Sequence, residues 1–267
     1  MAKYKKKRVR ELQHDRFRDT TMHLFEGLGN RLEGRGYSIL YGLGGLLLAG
    51  ILILGFVKWS NKKSDEARQA LGRAITINRA QIAAAPIAGS TELTFPSEKE
   101  RAQRAIEEFE KVAAKYGDPY KSSSRYFIAT NRLVLDRPKA MSELAELGNN
   151  GPAEVAPLAK FALAQAHESD GKLQEAEQLY VDLAKLNSPI VTPETANLRL
   201  AKVYEKLGKK KEASDLLFNI VDASRKAKAA DKNLPTSSAA REAAEELKKL
   251  DPDRHAQLPP ENISLAG

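Results

Sequence analysis

The stretch "GKLQEAEQLYVDL" (residues 171–183) returns 37 residues later as "GKKKEASDLLFNI" (208–220). Gly, Lys, Glu and Ala recur at the same offsets, and an apolar residue closes each stretch. Extended backwards, "FALAQAHESDGKLQEAEQLYVDL" lies over "LRLAKVYEKLGKKKEASDLLFNI". That register pairs Ala164 with Ala201, His167 with Tyr204, Gly171 with Gly208 and Ala176 with Ala213. Each unit reads as a helix, a tight turn at Gly and a second helix packed antiparallel on the first. Glycine ends the first helix without the steric penalty that a Cβ would bring. The paired alanines allow close approach. The larger residues, Leu163, Tyr180 and Leu183, then Leu200, Leu217 and Ile220, fill the space between neighbouring units.

Fainter copies lie upstream. "RAIEEFEKVAAKYGDP" sets Ala105, Phe109 and Val112 where Ala176, Tyr180 and Leu183 stand, and "KAMSELAELGNNGP" does so with Ala140, Leu144 and Leu147. The alanines at 105, 140, 176 and 213 are spaced by 35, 36 and 37 residues. A period of this length means an array of helical units that bury their faces only against one another. The pattern resembles the tetratricopeptide repeat, with its small residue, aromatic, Gly turn, Ala and closing Pro. Gly171, Ala176 and Tyr180 match it, with Pro189 near the expected end; Gly208 and Ala213 match again, but Arg225 stands where Pro is expected. "DRPKA" replaces the Gly turn in the second unit. The first carries a Pro/Gly-bearing insertion, residues 85–97, before a capping box at Ser97 and Glu100. "SSAAREAAEELKKL" reads as a terminal capping helix.

The chain has 267 residues, a net charge of +8, 6% aromatics and no cysteine. Disulfides, thiolate chemistry, Cys-ligated zinc and iron–sulfur clusters are thereby excluded. Residues 1–38 hold ten Lys/Arg against five Asp/Glu, whereas residues 58–267 hold thirty-three against thirty. The basic character belongs to the tail, which argues against the large C-terminal part as a nucleic-acid binder.

Residues 39–57, "ILYGLGGLLLAGILILGFV", contain no charge, and twelve of the nineteen are Leu, Ile, Val or Phe. As a helix they span roughly 28 Å, close to the hydrocarbon thickness of a bilayer. Tyr37, Tyr41 and Trp59 stand at the ends, where an aromatic belt belongs. No A-x-A cleavage site follows, so a single transmembrane helix is expected rather than a signal peptide. Gly42, Gly45 and Ala49 share one small-residue face on which a second membrane helix can pack. Before the span, Phe17, Leu24, Phe25, Leu28 and Leu32 share one face of a possible amphipathic helix. Arg16, Arg18 and Arg31 are available there to meet anionic lipid of the bilayer. The short tail is the better witness of orientation and sets the N-terminus inside. The immediate C-terminal flank, with Lys58, Lys62, Lys63, Arg68 and Arg73, pulls the other way.

The expected architecture is an all-α chain. It has a basic cytoplasmic tail over 1–38, a transmembrane helix over 39–57 and a tetratricopeptide-like α-solenoid over 58–235. A capping helix and tail follow over 236–267. This layout, with "KWSNKKSDEARQAL" after the span, is similar to the bacterial family of ancillary SecYEG translocon subunits. The resemblance implies a single-pass inner-membrane protein whose repeat domain faces the periplasm. Its implied work is as a protein-interaction adaptor beside the translocon, with a membrane-anchored periplasmic chaperone or prolyl isomerase.

The histidines, His14, His23, His167 and His255, are scattered without metal-ligand spacing. "GLGNRL" and "GLGGLL" fail the dinucleotide fingerprint, and neither a nucleophile elbow nor a phosphate loop is present. No enzyme, cofactor, metal, nucleic acid or small-molecule substrate is expected. In tetratricopeptide arrays the first helix of each pair lines the concave side. That position assigns Leu158, Phe161, Gln165 and Glu168 in one unit, and Leu198, Lys202 and Glu205 in the next, to a partner-binding groove. Phe161 and Leu198 are equally suited to the inter-repeat core. Phe161 and Gln165 also stand where a clamp for chaperone C-terminal carboxylates needs Lys and Asn, so that ligand is not expected.

Overall fold

A computed structural model describes residues 63–83, 93–231 and 233–260. The tail, the 39–57 stretch and the Gly42, Gly45 and Ala49 face lie outside the described residues. Among those described, no helix is long and apolar enough to cross a membrane. The chain divides into two units, Met1–Asp65 and Glu66–Gly267, and the second carries the fold.

Helix α1 covers residues 63–78. Two short strands follow, β1 (Gln81–Ile82) and β2 (Thr94–Phe95). Then come α2 (Glu98–Lys115), α3 (Tyr120–Leu135), α4 (Arg137–Asn150), α5 (Ala156–Ser169) and α6 (Leu173–Lys185). The last are α7 (Pro193–Lys206), α8 (Lys210–Ala230), α9 (Ser238–Leu250) and α10 (Pro252–Ala256). From α2 to α9 each helix packs on the next. The expected helix–turn–helix units are therefore α1/α2, α3/α4, α5/α6 and α7/α8, with α9 laid against α8 at the end.

The two Gly turns share one hydrogen-bond pattern. Gly171 and Gly208 have φ of 72° and 76°, the left-handed conformation that glycine adopts most readily. The Lys172 N–H donates to the His167 carbonyl at 2.9 Å and that of Gly171 to Glu168 at 3.2 Å. Lys209 to Tyr204 at 2.8 Å and Gly208 to Glu205 at 3.0 Å repeat both bonds. This double bond satisfies carbonyls left open at the helix end. The α3/α4 turn lacks Gly and solves the problem with one residue. Asp136 ends α3, with its N–H donating to the Arg132 carbonyl at 2.7 Å, and begins α4 by accepting from the Lys139 N–H at 3.2 Å. Pro138 in the first turn of α4 loses no helical bond there.

All twelve residues aligned through the four copies are buried. Ala105, Ala140, Ala176 and Ala213 have no exposed surface, and Phe109, Val112, Leu144, Leu147, Tyr180, Leu183, Leu217 and Ile220 are at most 6% exposed. Among the described residues the core is a series of five clusters. One joins α1 to α2 through Ala74, Ala105 and Phe109; one joins α5, α6 and α7 through Ala164, Ala176, Tyr180 and Val203. Ala164 of α5 and Ala176 of α6 belong to one cluster.

Two details depart from the expected all-α chain. The insertion pairs β1 with β2 in parallel, Gln81 opposite Thr94 and Ile82 opposite Phe95. Ile82, Thr94 and Phe95 are of strand-favouring types. The capping box is half formed. The Ser97 hydroxyl accepts from the Glu100 N–H at 3.2 Å, but Glu100 turns its carboxylate to the Ser97 hydroxyl rather than to a backbone N–H. Ser237 caps α9, which buries Ala239, Ala240, Ala243 and Leu247.

Two substitution pairs check these assignments. Ala213→Leu overpacks a fully buried site and is expected to cost roughly 1–3 kcal/mol. Lys210→Leu, exposed one turn earlier, should cost under about 0.5 kcal/mol. Equal losses in denaturant melts contradict the repeat register. A methyl group at Gly208 or Gly72 meets nothing within 4 Å, but only Gly208 has a positive φ. Gly208→Ala should therefore destabilise by about 1–2 kcal/mol, whereas Gly72→Ala, inside α1, should stabilise by about 0.5–1 kcal/mol. The same sign for both contradicts the turn assignment.

Candidate partner-binding face

First helices lie beside first helices along the array: α3 also packs on α5, and α7 on α9. This row carries the seven residues expected to bind a partner. The structure distributes them among three different roles.

Leu198 is core. It is 4% exposed and sits in one cluster with Ala201, Leu217, Ile220, Ala243 and Leu247, roofed by α8 and α9. Leu158 and Phe161 are half-buried at the margin of the cluster around Tyr180. The Phe161 ring meets the buried Tyr180 ring edge-on, with centroids 5.8 Å apart and planes at 67°. Edge-to-face contact is favoured because the positive rim of one ring meets the negative face of the other. Phe161 thus spends much of its surface inside the protein.

The charged members are also engaged internally. Glu168 is nearly covered, its side chain 12% exposed. Its Oε2 accepts from the Tyr180 hydroxyl at 3.2 Å and its Oε1 from Lys206 Nζ at 2.5 Å. Lys202, expected to be exposed, is half-buried: its Nζ donates to Glu242 Oε1 at 2.5 Å and lies 3.9 Å from Glu246 Oε1. These carboxylates stand about forty residues along the chain, on α9, beyond the reach of the repeat pattern. Gln165 and Glu205 are exposed. Of the seven, these two alone meet the expectation of a free polar surface.

The electrostatics follow the contacts. The hydrogen bond from Lys202 holds the Glu242 carboxyl below its ordinary value, and Arg199 adds to the effect. Burial, with the Glu168 carboxylate beside it, raises the Tyr180 hydroxyl well above the usual phenol range, so it remains a neutral donor. Lys206, Arg199, Glu242 and Glu246 complete the row although the repeat register does not single them out. A charge at i and i+4 on α9, Glu242 and Glu246, was the available sign. His167 closes α5 through its backbone carbonyl.

No protein-family model matches the chain, and no curated protein matches it. Two solved structures of a Podosopora anserina putative kinesin light chain with nearly identical tetratricopeptide-like repeats are similar to it. Each is 18% identical, covers 69% of this chain and has a TM-score of 0.47; the matched regions take in 84% and 85% of the solved chains. The described helices form a repeat array of tetratricopeptide type on their own geometry: antiparallel pairs 35 to 37 residues apart, with a buried alanine in each second helix.

Lys202→Glu sets three carboxylates together on the α7/α9 face. It is expected to lower stability at pH 7 by about 1 kcal/mol, within the range of partly exposed pairs. Glu205→Lys should change it by less than about 0.5 kcal/mol. The sign with pH is fixed by the lowered Glu242 value. The pair stabilises the fold above the ordinary carboxyl range and is lost as pH falls through the lowered one. The gap between the parent chain and Lys202→Glu should therefore close towards pH 3. A gap that stays constant from pH 7 to pH 3 in melting experiments contradicts the pairing.

Proposed function

We propose that the chain is a membrane-anchored protein-interaction scaffold. In this reading residues 39–57 cross the inner membrane, the basic tail stays inside and the repeat domain works in the periplasm. The observation that carries the scaffold reading is the array itself. Stacked helix pairs bury their cores locally and leave a continuous row of first helices, an arrangement suited to holding another protein along its length. The anchor reading is supported by the nineteen charge-free residues and their aromatic flanks. Association with the SecYEG translocon and a periplasmic chaperone or prolyl isomerase is supported by the similarity of layout described above. The binding groove narrows to Gln165 and Glu205, with the free edges of Leu158 and Phe161, since Leu198, Glu168 and Lys202 are used inside the array.

A second reading keeps the scaffold and turns it to the cytoplasm. The five cations between Lys58 and Arg73 favour it, because a basic flank close to a span tends to remain inside. Protease added to spheroplasts separates the two. The periplasmic reading expects digestion beyond residue 60 in intact spheroplasts. Protection until the membrane is lysed supports the cytoplasmic one. For the partner, a photoreactive side chain placed at Gln165 should cross-link to a translocon subunit or its chaperone in detergent-solubilised membranes. Cross-links only to unrelated cytoplasmic proteins contradict the proposed association.

A further inference from the structure

Helix α8 is 21 residues long, whereas α6, its counterpart in the previous unit, is 13. Arg225 stands where the repeat pattern has its closing proline, and without that break the helix runs on. The overhang meets α9 and forms a cleft of about 240 Å³. Arg225 and Lys228 line it from α8, and Arg241 and Glu245 from α9. Val221, Ala240 and Ala244 supply an apolar wall. The Arg225 guanidinium is held in place by donating to the Pro259 carbonyl. Lys228 and Arg241 have no carboxylate partner among the described residues.

At other helix contacts Lys202, Lys206, Lys209, Arg132 and Arg254 each meet an acidic side chain of another helix. Here three cations share a cavity with one carboxylate, Glu245, in a region of the chain whose overall charge is nearly balanced. The N-terminus of α9 opens beside them at Thr236, and its dipole adds to the positive field. An anion is the complementary occupant. The apolar wall favours one with a methylene stem and neighbouring side chains. Glu245, inside the cleft, disfavours a compact dianion more than carboxylates spread along a chain.

We propose that the cleft between the α8 overhang and α9 docks an acidic peptide segment of a protein partner. It rests on the scaffold reading only in assigning the anion to a protein, and it is tested independently of membrane topology.

The whole chain is titrated against a fluorescein-labelled octaglutamate peptide and followed by anisotropy, with circular dichroism recorded for each variant. Lys228→Glu with Arg241→Glu is expected to weaken binding at least tenfold. Lys5→Glu with Lys6→Glu, the same charge change in the tail, should weaken it less than threefold. Glu245→Gln should tighten binding at least threefold, a gain that damage to the fold cannot produce. Equal losses in cleft and tail variants, or no gain from Glu245→Gln, overturn the proposal. So does inorganic phosphate that displaces the peptide where chloride of equal ionic strength does not, since the site is then one for a small anion.

Discussion

The close approach of the two helices in each pair is the constraint from which the rest follows. It favours a small side chain on the buried face of each second helix, and Ala105, Ala140, Ala176 and Ala213, each without exposed surface, stand there. Three of the four pairs are joined by short turns, whereas residues 79–97 separate α1 from α2. Gly171 and Gly208 make two of these turns with a left-handed residue, and Asp136 makes the third with a side-chain cap. The large residues one and two turns later, such as Tyr180 and Leu183, are left to join one pair to the next. The result, among the described residues, is five small clusters in series.

Much of this was legible in the chain because it is local. A glycine between two helical patterns and a serine before "EKE" are each set within one or two turns, and the first recurs in the copies at 171 and 208. The turn at Asp136 was harder, since a cap residue can replace glycine only if it ends one helix and starts another at once. The surroundings of the seven candidate residues were the least legible. Aligning α5 with α7 shows which positions correspond, but not what covers them. Leu198 is roofed by α9, and Lys202 meets Glu242 forty residues away. Those contacts are set by how the array ends, which a repeat alignment cannot express. The paired strands β1 and β2 were missed because two residues each are too few to show a period.

A face that neutralises its own charges has a functional consequence. Glu168 and Lys202 cannot serve a partner without giving up Lys206, Tyr180, Glu242 or Glu246. Their pairs fix the spacing of α5, α7 and α9 instead. The exposed polar groups, Gln165 and Glu205, stand on the same helices, α5 and α7. Arg225, Lys228 and Arg241 line the cleft between α8 and α9, where the missing proline lengthens α8.

The serial core is the central claim, and amide hydrogen exchange followed helix by helix tests it most directly. Ala176→Leu loosens the α5/α6 crossing. In a chain of neighbour contacts, protection should fall most in α5 and α6, less in α4 and α7, and least in α2 and α9. An equal loss of protection from α2 to α9 would mean one indivisible core and would contradict the account.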